Sequence, residues 1–360
     1  MFHNMRAMIS RPLLTTIVAL CPLIAPAHPD HGTSAGADAA HAVRTGNGAH
    51  VFESVPGWGK LPDGATLGPT HGAVLVGPDK RVYLSTDGKL SVVVWEEDGT
   101  FVKNFGPEYQ GFHAMVIREE QGKSFLYGAQ NNAYGNPERK KAGEPTTPFR
   151  VCKIDLEGKL ALEIPNASTG EVPGGWNGLT AVAVAPDNSI FAACGYGSQM
   201  IHKFDATGKL IKSFGGKGKE DGKFNTCHGL MIDTRFTPAR LLVADRENRR
   251  LVHLDLDGNF LAVHASGLRR PCSTVPCGNG LAVAELEARV AILDPDGTPV
   301  AFLGDNPDKS QWANFGVKPA DQHQAIFTAP HGLGFAPNGD LYVQDWNQSG
   351  RVTKLRKVRP

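Results

Sequence analysis

The sequence predicts an all-β protein: a six-bladed β-propeller of four-stranded antiparallel blades, closed by an N-terminal strand pairing with the C-terminal blade. Three observations lead there. Six short segments of one pattern open at residues 71, 113, 180, 228, 273 and 331. A turn dipeptide ending in glycine recurs five times between apolar runs. The sixth unit runs out of chain one strand early, and a matching strand stands near residue 50. Units of this length cannot bury their apolar faces alone, and six of them set side by side close into a ring.

The opening strands carry the pattern most clearly. Four begin with histidine: Thr70-His71-Gly72-Ala73-Val74, Phe112-His113-Ala114-Met115-Val116, Cys227-His228-Gly229-Leu230-Met231 and Pro330-His331-Gly332-Leu333-Gly334. Two place another polar residue there, Thr180 before Ala181-Val182-Ala183-Val184 and Ser273 before Thr274-Val275. Second strands are apolar throughout, as in Ser189-Ile190-Phe191-Ala192-Ala193 and Arg240-Leu241-Leu242-Val243-Ala244. A third strand alternates, as in Leu251-Val252-His253-Leu254-Asp255. The third strand turns into the fourth at Asp98-Gly99, Glu157-Gly158, Thr207-Gly208, Asp257-Gly258 and Asp296-Gly297, hairpin signals because such turns need positive φ. Unit six stops after Arg351-Val352-Thr353-Lys354-Leu355. Its missing strand is expected in His50–Gly57, which resembles the fourth strands Phe101–Gly106 and Leu210–Gly215. Pairing residues near 50–57 with residues near 351–356 hides an exposed edge. Residues 48–360 are therefore one domain. Unit two is long because of a polar insert at about 131–147, a surface loop placed to act as a lid.

Arg6 and Arg11, the apolar run Pro12–Ile24 and the small residues Ala25-Pro26-Ala27 predict a signal peptide over 1–27. A flexible leader is expected over 28–47, where His28, His31 and His41 read as solvated tail residues. The destination expected is secreted or periplasmic. Loss of the two arginines takes the formal charge from +1 to −1, which offers no electrostatic case for nucleic acid or membrane as partner. A monomer is expected. Five cysteines follow the signal, an odd number, so at least one is a free thiol; Cys272 and Cys277 leave a small loop disulfide open.

In an up-and-down blade the start of strand one and the turn after strand two share a face. The axial residues therefore lie on the side of Asp87, Gln130, Tyr196, Arg246, Leu286 and Trp346. His113, His228 and His331 fall on alternate units, about 120° apart round a six-fold ring. Three imidazoles meeting at that angle form a facial metal site with outer positions open. Filling a polar channel with hydrogen-bonded histidines is the plainer alternative. The ligand type suits zinc without excluding another divalent ion such as iron, copper or manganese. His71 on the adjoining blade, with Asp87, is expected to face substrate or stand behind the ligands. Tyr196 is a candidate catalytic base or donor. Arg246 is a candidate clamp for a carboxylate or oxyanion, or a partner of Asp245 or Glu247.

The blades resemble NHL repeats. The segments Thr180–Val184, Gly195-Tyr196, Cys227-His228-Gly229-Leu230, Val243–Asn248 and Pro330-His331-Gly332-Leu333 are similar in order and spacing to the peptidyl-α-hydroxyglycine α-amidating lyase. The resemblance implies a zinc-dependent lyase that cleaves a carbinolamide into an amide and glyoxylate. It places the zinc ligands at His113, His228 and His331, the tyrosine at Tyr196 and the arginine at Arg246. It departs at Gly332, where that family carries an acid tied to a structural calcium, and at Asp87, where a second arginine is expected. A copper monooxygenase domain to supply the lyase's substrate is not expected in this chain. The chain resembles exported bacterial lyase-like propellers most. The expected function is a zinc-dependent lyase or hydrolase acting on a small polar or peptide-like substrate. A non-catalytic propeller binding a ligand or a protein is the alternative. A sugar-lactonase-like propeller is weaker, since that family binds calcium through carboxylates and asparagine and the axial positions here are imidazole-rich.

Overall fold

The computed structural model describes residues 41–131 and 149–359. The expected signal peptide, most of the leader and nearly all of the insert in unit two lie outside the described residues. The described chain is six antiparallel blades and almost nothing else. Blade 1 is Val74–Val76, Val82–Ser85, Val92–Trp95 and Phe101–Asn104. Blade 2 is Phe112–Glu120, Lys123–Gln130, Arg150–Asp155 and Leu160–Ile164. Blade 3 is Ala181–Val184, Ile190–Ala193, Met200–Phe204 and Leu210–Gly215. Blade 4 is Cys227–Asp233, Arg240–Asp245, Arg250–Leu254 and Phe260–Ser266. Blade 5 is Pro271–Cys277, Gly280–Glu285, Arg289–Leu293 and Pro299–Leu303. Blade 6 takes Pro330–Phe335, Leu341–Asp345 and Arg351–Lys357 from the C-terminus, and its fourth strand, Phe52–Ser54, from the other end of the chain.

The unbroken apolar character of the second strands has a direct cause. Successive side chains of a strand point to opposite faces, and in a ring both faces of a blade are covered. In blade 3, Ile190 and Ala192 pack towards Tyr127 and Val151 of blade 2, while Phe191 and Ala193 pack towards Leu241 and Val243 of blade 4. Each fully buried Ile, Phe, Val or Leu side chain among these stabilises the interface by about 1.5–3 kcal/mol, an alanine by less. Outer strands lose this cover on one side and leave Ile211, Leu261 and Val300 exposed. The five expected turn glycines, at 99, 158, 208, 258 and 297, all have φ between 84° and 92°, which a residue with a Cβ reaches only with strain.

The closing pairs are Phe52 with Lys357, Glu53 with Arg356 and Ser54 with Leu355. Glu53 and Arg356 also form an ion pair at 2.7 Å. Phe52 is buried among Leu341, Val343 and Leu355. Trp58 then lies across the seam, 4.9 Å from the Tyr342 ring of blade 6 and 5.3 Å from Trp95 of blade 1. One boundary shifts. Arg44–Thr45, expected in the leader, forms a fifth strand against Phe52 and Glu53. Short side-chain bonds fix it: Ser54 Oγ accepts from Val43 N at 2.9 Å and Thr45 Oγ1 from Gly304 N at 2.7 Å.

The Cys272–Cys277 disulfide does not form; both residues are free thiols. They stand near opposite ends of a single strand. Five residues of strand span roughly 16 Å, against a Cα separation below about 7 Å for a disulfide.

Candidate functional site

The inner strands of four blades carry a β-bulge at their first turn into the ring. In each, the ladder to the second strand slips by one residue, and the extra residue is His113, His228, Cys272 or His331. A bulge re-aims the side chain it carries. In blade 5 the bulged residue is thus Cys272; Ser273, expected there, is one place too far along. Ser273 instead donates to the His331 carbonyl at 2.8 Å, and Thr180 to the Cys227 carbonyl at 2.7 Å. These two hydroxyls tie adjoining blades together.

The three bulged histidines are almost wholly buried, each 2–3% exposed. Their ring centroids are mutually 4.7 Å apart. Each imidazole is fixed by the next blade. His113 Nδ1 lies 2.6 Å from the Thr180 carbonyl, His228 Nδ1 2.9 Å from that of Cys272, and His331 Nδ1 2.8 Å from that of Gly72. A carbonyl only accepts, so Nδ1 carries the proton and Nε2 presents a lone pair. The glycines after His228 and His331 permit this approach. A Cβ at Gly229 would stand 2.4 Å from the Cys272 carbonyl oxygen, and one at Gly332 2.8 Å from that of Gly72.

Tyr196 crosses above the cluster. Its Oη is 2.9 Å from His228 Nε2, 3.1 Å from His113 Nε2, 3.4 Å from His71 Nε2 and 3.1 Å from Arg246 Nη1. Arg246 can only donate to that oxygen, so the phenol has one proton for the imidazoles around it. His331 Nε2, buried, has no partner. The cluster therefore has more lone pairs than protons to share, and each unpaired buried acceptor costs about 1–3 kcal/mol. Burial, aided by neighbouring imidazoles and Arg246, pushes His71, His113 and His228 well below the usual imidazole range. Burial brings His331 down to about 4. The imidazoles of the cluster are thus neutral near neutral pH, with lone pairs that could face a cation. Two sets of donor atoms lie within 4.8 Å of one another, His71 with His113 and His331, and His228 with Cys272 and His331. The alternate-blade trio of His113, His228 and His331 is not itself one of these sets; His331 is the member common to both.

A cavity of about 490 Å³ opens over this cluster, lined among others by His71, Tyr196, Arg246, Arg270, Leu286 and Trp346. On the far side an apolar channel of about 550 Å³ runs between the inner strands past Val74, Met115, Val182 and Leu230. His71 is on the cavity side, its Nδ1 4.0 Å from Asp87. Gln130 does not reach the cavity; its amide donates to the Glu108 and Gln110 carbonyls just before blade 2.

Arg246 does not pair with Asp245, which is buried against Arg250 at 2.7 Å. Its partner is Glu247, at 2.9 Å. Glu247 in turn takes two bonds from Arg270, at 2.6 and 3.0 Å. Sequence reasoning offered Glu247 as a partner of Arg246 but missed Arg270 altogether. Arg270 lies 23 residues on, and no periodicity brings the two together. Burial pushes the Tyr196 phenol up to about 12, with the Arg246 charge pulling the other way. The phenol therefore rests protonated beside a guanidinium that eases its ionisation.

No family model matches the chain. Several solved structures are similar to it. A streptogramin B lyase structure is 12% identical with a TM-score of 0.54, over 87% of this chain and 98% of that one. Virginiamycin B lyase from Staphylococcus aureus is 14% identical with a TM-score of 0.51, over 82% and 97%. A putative gluconolactonase is 15% identical with a TM-score of 0.53, over 83% and 96%. At these identities the likeness is one of fold. The chain is a six-bladed propeller of the same overall build as these lyase and gluconolactonase-like structures, carrying a histidine cluster at its axis.

Proposed function

We propose that the protein is an exported, metal-dependent enzyme, a zinc lyase or hydrolase of the NHL-propeller kind acting on a small polar or peptide-like substrate. The observation that carries this reading is the set of converging, proton-starved Nε2 atoms of His113, His228 and His331. Their rings stand 4.7 Å apart centre to centre, and His331 shares a donor set within 4.8 Å with His113 and another with His228.

A bound divalent ion supplies Lewis-acid polarisation of a substrate hydroxyl or a water. The rest falls to the chain. Tyr196 holds a proton at Oη, within hydrogen-bond reach of the ligand imidazoles, and can pass it to a leaving group or take one up. Arg246 faces the cavity with its Nε committed to Glu247, which fixes the plane of the guanidinium. With Arg270 it lines the site with positive charge suited to a substrate carboxylate. Leu286 and Trp346 supply apolar wall.

Elemental analysis of protein purified without a polyhistidine tag is expected to find zinc or another divalent metal. Incubation with an α-hydroxyglycine peptide then tests the reaction. Tyr196→Phe is expected to lower turnover by roughly 10²–10⁴-fold with metal content unchanged, since only the proton-bearing oxygen is lost. Arg246→Ala is expected to weaken binding of carboxylate substrates roughly 10- to 100-fold, the value of a charged hydrogen bond. Metal-dependent glyoxylate release that Tyr196→Phe abolishes supports the lyase. A fully metallated protein that releases none rules out this substrate, and Asp87 in place of a second arginine is the departure that would account for it.

A further inference from the structure

Cys272 has no part in the chemistry above, yet the fold treats it as it treats the three histidines. It is the bulged residue of its inner strand, as His113, His228 and His331 are of theirs. The local sequence repeats as well: Pro271-Cys272-Ser273 stands where blade 6 has Pro330-His331-Gly332. The side chain is wholly buried. A donor atom of His228, a donor atom of His331 and the Cys272 sulfur lie within 4.8 Å of one another, and the nearby His331 Nε2 is without a partner. The other described cysteines form no such group with histidines.

We propose that Cys272 is a protein ligand to the ion, its thiolate joining His228 and His331 as donors from blades 4, 5 and 6. This rests on the metal-binding reading above and adds a donor of a different class. On coordination the thiol proton leaves to solvent and the sulfur binds as thiolate, since a coordinated thiol is deprotonated. One ligand charge offsets half that of a divalent ion. Sulfur biases the site towards zinc, copper or cobalt and against magnesium or manganese. The Tyr196–Arg246 side remains available to substrate, as the ion's coordination can rise to five during reaction.

The test is cobalt substitution of the full-length, untagged protein after metal removal. Wild type is expected to show the visible bands of bound cobalt together with a near-ultraviolet sulfur-to-cobalt charge-transfer band. Cys272→Ser is expected to keep the visible bands and lose the charge-transfer band, while Cys277→Ser, at the far end of the same strand, keeps both. X-ray absorption on the zinc-loaded wild type gives a second readout that needs no variant: a sulfur scatterer at about 2.3 Å. Cobalt bound without the charge-transfer band, or zinc with only nitrogen and oxygen neighbours, overturns the thiolate and leaves the histidine site intact. Failure of the wild type to take up cobalt or zinc at all overturns both.

Discussion

Replacing His113, His228 and His331 together is expected to take bound metal from about one ion per chain to none, with the propeller still folded. The choice of replacement matters. Alanine would strip the Thr180, Cys272 and Gly72 carbonyls of the N–H that each now accepts, at about 1–3 kcal/mol apiece. Asparagine keeps an amide donor near the Nδ1 position and removes Nε2 alone. The triple asparagine variant therefore separates loss of the ion from loss of the fold. Single variants should each weaken binding by orders of magnitude, because a facial trio with one member missing has lost a third of its nitrogen donors. Circular dichroism and elemental analysis on the same samples decide the matter. A folded triple variant that retains its metal would sink the histidine site.

Deleting residues through 60 is expected to be the most damaging change outside the site. It removes the closing strand Phe52–Ser54, its partner Arg44–Thr45, and Trp58 from the seam. Arg351–Lys357 is left as an open edge, a template for pairing with other chains. Loss of solubility and of a cooperative melt is the expected result. Phe52→Ala is the milder probe: its ring is 1% exposed, so about 3–5 kcal/mol is lost, a fall in Tm of roughly 5–15 °C. A truncated protein that melts as the full-length one does would show that the seam contributes little.

Much of this architecture was legible because a propeller repeats itself. The turn glycines are forced by positive φ, the uniformly apolar second strands by burial on two faces, and the closing strand by the shortfall in unit six. The up-and-down course of a blade, with the lyase resemblance, placed Tyr196 and Arg246 on the face of the axial histidines. What stayed hidden depended on one-residue detail or on side chains from distant segments. The bulge at Cys272 moves the axial position of blade 5 off Ser273, and bulges leave no composition signal. The Arg246–Glu247–Arg270 chain joins a turn of blade 4 to the approach to blade 5. The cysteine pair looked near in sequence, but an extended strand holds its ends apart. The carbonyl anchors have no side-chain signature at all, although the glycines at 229 and 332 mark where a neighbouring backbone comes close.

Those anchors also govern when the cluster can come into being. Each ligand imidazole grows from one blade and is oriented by the next, and the His331–Gly72 link spans the two ends of the chain. A chain still being synthesised has only His113 and His228 in place until blade 6 docks. A tight ion site is then a property of the finished circle. If the proposed ion is bound, its loading and completion of the ring become the same event. An ion held there would act as a rivet through the join, because prising blade 6 from blade 1 releases His331 from the carbonyl that aims it.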